Sequence, residues 1–109
     1  MPHIRMRALK KEHVQNLSEI LVKDLAKTIG TAEDNFTFEW IGSEFFSGGK
    51  ATPSYPFVEV LWFARSQEVQ DQTAALITQK VKTETQAQDV VVVFQTLDKA
   101  AYYENGEHF

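Results

Sequence analysis

The chain contains no cysteine, which removes disulfides, thiolate metal ligands and thiol nucleophiles together and makes a reducing compartment, the cytoplasm, the default. Positive charge is scarce and unclustered: 11 Lys and Arg against 15 Asp and Glu leave a formal net charge of -4. Nucleic-acid affinity draws largely on gathered cations, so a phosphate backbone is not an expected partner. Long apolar runs are also missing, so no segment is suited to span a membrane, and the opening MPHIRMRALKK lacks the apolar centre of a secretory signal. The three histidines, His3, His13 and His108, show no ligand spacing, and neither a metal site nor a cofactor is expected. Pro, Gly and Ser form no long stretch, which argues against disorder. Ser47-Gly48-Gly49 lacks the upstream glycine and the following Lys-Ser/Thr of a phosphate loop and reads as a turn.

What is present suits one globular domain covering residues 1–109, 43% of them apolar and 24% charged. A sheet this small leaves apolar surface uncovered unless copies of the chain pack together, so a homo-oligomer is expected. Pro2 to Leu9 alternates, with Ile4, Met6 and Ala8 on one side and His3, Arg5 and Arg7 on the other, as in a half-buried strand. Val14, Leu17, Leu21, Leu25 and Thr28 then recur at helical spacing, with Gly30 as the C-cap. Phe36, Phe38 and Trp40 alternate in a second strand. Regular structure should lapse from Gly42 to Tyr55, where Ser47-Gly48-Gly49, Pro53 and Ser54 lie. PFVEVLWFA, from Pro56 to Ala64, is a third strand. Val69, Thr73, Leu76, Ile77 and Val81 mark the inner stripe of a second helix. In DVVVVF the unbroken β-branched run Val90 to Val93 predicts a fourth strand buried on both faces in mid-sheet. The tail carries Tyr102, Tyr103 and a turn at Gly106, and its aromatic rings suit docking against another surface.

The halves repeat. Pro2-His3-Ile4 opens the first strand and Pro56-Phe57-Val58 the third, while Glu12-His13-Val14-Gln15-Asn16 faces Gln67-Glu68-Val69-Gln70-Asp71. Each pseudo-repeat, 2–41 and 56–97, has the order of a βαβ unit, whose crossover helix makes its two strands parallel. The expected fold is α/β (α+β): one four-stranded mixed sheet with two helices on one face. The same element order also describes a ferredoxin-like domain, which would serve as a small-molecule-binding regulatory unit. That alternative would set Pro56's strand beside the first and leave no pocket at the N-terminus.

Pro directly after Met1, a first helix ending LAKTIG, the segment FSGGKATPSYP and an Asp leading into the last strand together resemble the tautomerase superfamily. That group contains macrophage migration inhibitory factor and 4-oxalocrotonate tautomerase, and the resemblance covers essentially the whole chain. It implies a trimer and removal of the initiator Met, leaving Pro2 as a free secondary amine. Such an amine acts as general base toward a small carboxylate substrate in keto-enol isomerisation. The chemistry is sound: an α-amino group has a reference pKa of about 7.7–8.0, and burial or nearby positive charge brings it toward neutrality. A proline nitrogen tied up in an amide cannot do this, and Pro2 can instead be simply the first residue of a strand, as Pro56 is.

Carried over position by position, the resemblance is incomplete. Thr37 stands where 4-oxalocrotonate tautomerase has a substrate-binding arginine, and its other arginine matches Lys10 or Lys11. Against macrophage migration inhibitory factor, Thr31 replaces a pocket lysine, and Val92 and Phe94 replace a tyrosine and an asparagine. Arg65, just after the third strand and equivalent to Lys11 in the repeat, is the first candidate to grip a carboxylate. Lys11, His3 and Tyr103 are the other candidate substrate-binding residues, Tyr103 either in a neighbouring subunit's pocket or as interface packing. Arg5, Arg7, Glu39 and Glu59 read as a structural set whose charges offset one another across strands. The departures at Thr37, Val92 and Phe94 point to the alternative of a catalytically silent member that binds or assembles.

Overall fold

The computed structural model describes Met1–Phe109. In chain order the elements are β1 (His3–Arg7), α1 (Lys11–Ile20), α2 (Val22–Ile29), β2 (Thr37–Ile41), β3 (Phe46–Ser47), β4 (Lys50–Ala51), β5 (Phe57–Phe63), α3 (Gln67–Thr85), β6 (Val91–Leu97), β7 (Tyr103–Glu104) and β8 (Glu107–His108). β2, β1, β5 and β6 lie side by side in that order as one mixed sheet. β1 pairs with β2 and β5 with β6 in parallel, while β1 and β5 pair antiparallel at the centre, Arg5 opposite Glu59. Pro56's strand therefore does lie beside the first, and this adjacency does not separate the two candidate folds. What separates them is that the two strands of each βαβ unit are hydrogen-bonded neighbours, whereas a ferredoxin-like sheet splits each unit.

Alternation along β1 and β5 sends Ile4, Met6, Val58, Val60 and Trp62 to one face of the sheet, where all five are fully buried. They pack in a single core with Val14, Leu17, Leu21 and Leu25 from the first helical stretch and with Ile77 and Val81 of α3. Each such side chain withdrawn from water contributes about 1.5–3 kcal/mol. α3 begins at Ser66, whose hydroxyl accepts the Val69 N–H at 3.2 Å, satisfying one of the free donors of the first turn.

Several expectations are corrected. The first helix is interrupted at Leu21 and continues as α2, although Leu21 N–H still donates to Leu17 and Leu25 N–H to Leu21, both at 2.9 Å. It ends as expected at Gly30, where φ of 80° closes α2 in the left-handed region. The segment from Gly42 to Tyr55 is not wholly irregular, because β3 and β4 form a small hairpin around Gly48-Gly49. The largest correction concerns β6, which is an edge strand instead of a central one. Val92 packs against the core, whereas Val93 on the opposite face is 38% exposed. β-branched residues report only a preference for a pleated, covered surface; within one chain nothing covers this face of β6.

Candidate functional site

β1 brings Pro2 to one end of the sheet. The ring is fully buried, and its carbonyl accepts the Thr37 N–H at 3.2 Å, anchoring the chain start to β2. A proline fits there because the first residue of a strand can do without an N–H. Met1 precedes it, half-buried, so Pro2 nitrogen in this chain is an amide. The Met1 amine is held below its usual 8.0, first by burial and second by the positive charge of Arg65.

Arg65 reaches this end because β5 runs antiparallel to β1, with His3 opposite Leu61, so the chain beyond Phe63 passes the N-terminus. Its Nη1 donates to the Phe63 carbonyl at 2.8 Å, and the guanidinium lies 5.8 Å from the Trp62 ring centre. These contacts fix the side chain while leaving other N–H groups of its fork for a ligand. The C-terminal tail closes the same region. Phe63 meets Tyr102 edge-on at 5.2 Å and Phe109 at 5.5 Å, and Lys99 Nζ stands 5.6 Å from the Phe63 ring. Docking of the tail was expected; Phe63 and Phe109 as its anchors were not, although five aromatic or histidine rings from Phe94 to Phe109 are a visible cue. Trp62 was also missed. Its indole N–H is buried with no hydrogen-bond partner.

Pro2 and Arg65 are thus brought together, and the other three candidates are not. His3 lies on the opposite face of β1 from Pro2, by strand alternation. Its Nε2 donates to Glu39 at 2.8 Å and its Nδ1 pairs with the Thr37 hydroxyl at 3.0 Å, so both ring nitrogens are engaged. Lys11 is exposed and follows the far end of β1. Tyr103 is 63% exposed, its ring edge-on to His108 at 5.8 Å. The polar face carries the expected charge pairs: Arg7 donates to Glu59 at 2.6 Å and Arg5 lies 3.5 Å from Glu39.

The far end of the sheet holds a cleft of about 930 Å³. Ala8, Leu9 and Lys10 form one side, Trp40 and the loop from Gly42 to Ser54 the other, and Pro56 lies at its base. Trp40 is held by an indole N–H donated to the Leu9 carbonyl at 2.9 Å.

The family model for a domain of unknown function, DUF1904, matches residues 1–108. The chain belongs to the DUF1904 family. A solved DUF1904 domain from Sebaldella termitidis is 41% identical over 100% of both chains, with a TM-score of 0.93. No curated protein matches. At lower identity, a macrophage migration inhibitory factor-like protein of Entamoeba histolytica is 13% identical, covers 99% of this chain and 98% of its own, and superposes with a TM-score of 0.78. A fused 4-OT, solved as an asymmetric trimer, is 15% identical over 97% of this chain and 94% of its own, with a TM-score of 0.85. The chain therefore has the fold of the macrophage migration inhibitory factor-like and 4-OT structures, as the sequence resemblance implies. In this DUF1904 chain Phe94 turns toward the helices and packs at 4.8 Å on Trp62, and Thr37 is engaged by His3. Neither takes the place of the polar group that the resemblance would require.

Proposed function

We propose that this protein is a cytoplasmic trimer of the tautomerase superfamily in which Pro2, freed by removal of Met1, is the general base for keto-enol isomerisation of a small carbonyl acid. The observation that carries this reading is the buried chain start beside Arg65, where the terminal amine binds its proton less tightly than usual. Loss of Met1 would move the free amine one residue inward, to a ring that is already buried. There burial, and then the positive charge of Arg65, would favour the unprotonated ring nitrogen, with a donor-rich guanidinium close by. The ring nitrogen takes a proton from one atom of the substrate and the same proton, or its equivalent, is delivered to another; the product is an isomer, and no co-reactant is consumed. Arg65 holds the carboxylate. Lys11 joins such a site only from another copy of the chain, and the open apolar face of β6 favours the association that would supply it.

A second reading, a catalytically silent member that binds or assembles, is favoured by Thr37 and Phe94, whose side chains are committed to His3 and Trp62. Intact mass of untagged protein separates the two: loss of Met1 from most molecules is expected, and its retention on nearly all of them eliminates the amine mechanism. Conversion of enol arylpyruvates and 2-hydroxydienoates by the Met1-free protein and its Pro2→Ala variant completes the test. Equal rates for the two proteins remove Pro2 from the reaction.

A further inference from the structure

The pseudo-repeat gives each end of the sheet a buried proline and a nearby cation. Pro2 and Arg65 stand at one end, Pro56 and Lys10 at the other, because β1 and β5 are antiparallel. The ends differ in two ways. Pro56 lies within the chain, so its nitrogen is permanently an amide and cannot act as a base. The Pro56 end, however, has the large cleft. Its walls are aromatic and aliphatic, from Trp40, Phe45, Leu9 and Pro56. Its donors sit on one side: Lys10, whose amine pairs with no carboxylate, and His13, whose Nδ1 accepts the Lys10 backbone N–H at 3.2 Å. That bond makes Nδ1 the acceptor and leaves Nε2–H for an outside partner.

We propose that this cleft is a second ligand site, non-catalytic, which takes a small amphiphile with a flat apolar body and a single carboxylate. The apolar body lies against Trp40 and Pro56, and the carboxylate accepts from Lys10 and His13. Three features support this occupant over a purely apolar one. The volume is that of a small-molecule pocket. The indole of Trp40 is fixed by its bond to Leu9 and so offers a preformed wall. Lys10 and His13 are paired to each other through the backbone, and their outward donors suit an anionic head. Glu44 on the loop side of the cleft is repulsive to a second negative charge, which restricts the head to one carboxylate.

The test uses the full chain in its native assembly, with 2-naphthoate and uncharged 2-naphthamide as probes and two-dimensional amide NMR as readout. Saturable shifts at Ala8, Leu9, His13 and Gly42 are expected with 2-naphthoate, and much weaker ones with the amide. Lys10→Gln should weaken 2-naphthoate about tenfold, the usual worth of one charge-assisted hydrogen bond, and leave shifts at Phe63 and Arg65 unaltered. Equal affinity for acid and amide, or indifference to Lys10→Gln, overturns the carboxylate assignment. Shifts confined to the Phe63 and Arg65 end, no saturable shift up to millimolar probe, or Gly42 and Ala8 amides already protected from exchange by a second copy overturn the site itself.

Discussion

Arg65 stands beside the terminal amine of Met1 and lowers its affinity for protons, second only to burial as a cause. A positive neighbour and a poorly solvated setting both penalise the ammonium form, so both act in the same direction. Arg65→Gln removes the smaller contribution. The amine pKa is therefore expected to rise toward 8.0 without reaching it. Labelled-terminus NMR titration measures this, and an unchanged or lowered value would contradict the geometry.

The same depression couples to folding. In the unfolded chain the amine holds its proton up to about pH 8, whereas the folded chain releases it at lower pH. The unfolded state thus binds more protons between the two values, and stability rises with pH across that window. The contribution is fully present above the unfolded value and is lost as pH falls through the folded one. Comparing urea midpoints of the Met1-retaining chain and its N-terminally acetylated form at pH 6 and pH 9 isolates it: only the unacetylated chain should carry this increment.

Glu59 receives the Arg7 guanidinium at 2.6 Å in a setting where Glu59 is 19% and Arg7 31% exposed. Half-burial makes this pair worth more than a solvated one and less than a buried one. Glu59→Gln should cost about 1–2 kcal/mol, since a charged partner is replaced by a neutral one of the same shape. A double cycle with Arg7→Met, read by denaturant unfolding, should show coupling of similar size, and additive losses would mean that the pair does not interact.

Gly42 lies under the Trp40 indole: a Cβ there would meet Trp40 Cη2 at 2.9 Å. Gly42→Ala therefore pushes the ring aside and stretches its bond to Leu9. Because the ring is 42% exposed and the added methyl drives it toward solvent instead of into the core, the loss should stay near 1 kcal/mol, the value of one hydrogen bond. Fluorescence of a Trp62→Phe background, which reports Trp40 alone, should shift to the red; an unchanged spectrum means the ring is not displaced.

The sequence made the strands, the repeat and the Pro2 position legible because each leaves a local pattern. Ile4 and Met6 alternate with His3, Arg5 and Arg7, and the halves share a proline at the strand start. What was not legible depends on groups distant in the chain. Arg65 was placed near Pro2 by the antiparallel pairing of β1 and β5, which local pattern does not encode, although the repeat hinted at it. His3 is a candidate substrate-binding residue by sequence, yet its commitment to Thr37 and Glu39 follows from the parallel register of β1 and β2. The cleft was missed because it arises only when the Gly42–Ser54 loop folds across Trp40 and Ala8. The break at Leu21 has no visible cue, since Leu21 keeps the helical stripe and is fully buried.

β6 yields the last prediction. A strand reading Val90 to Val93 was expected in mid-sheet, and within one chain it is an edge with Val93 38% exposed. Long apolar edge strands in a lone domain are an aggregation hazard that proteins cover or charge, and no charge interrupts Val91–Leu97. Cover by another copy of the chain resolves the conflict between the composition and the position of β6. Val93→Lys adds a charge on the uncovered face while leaving the core-facing Val92 in place, so the fold should survive and the assembly should not. Light scattering after size separation is expected to give a trimer mass for the wild-type chain and a monomer mass for Val93→Lys, with far-ultraviolet circular dichroism unchanged. A wild-type chain that stays monomeric at high concentration would leave the β6 edge bare and would remove the oligomeric site along with it.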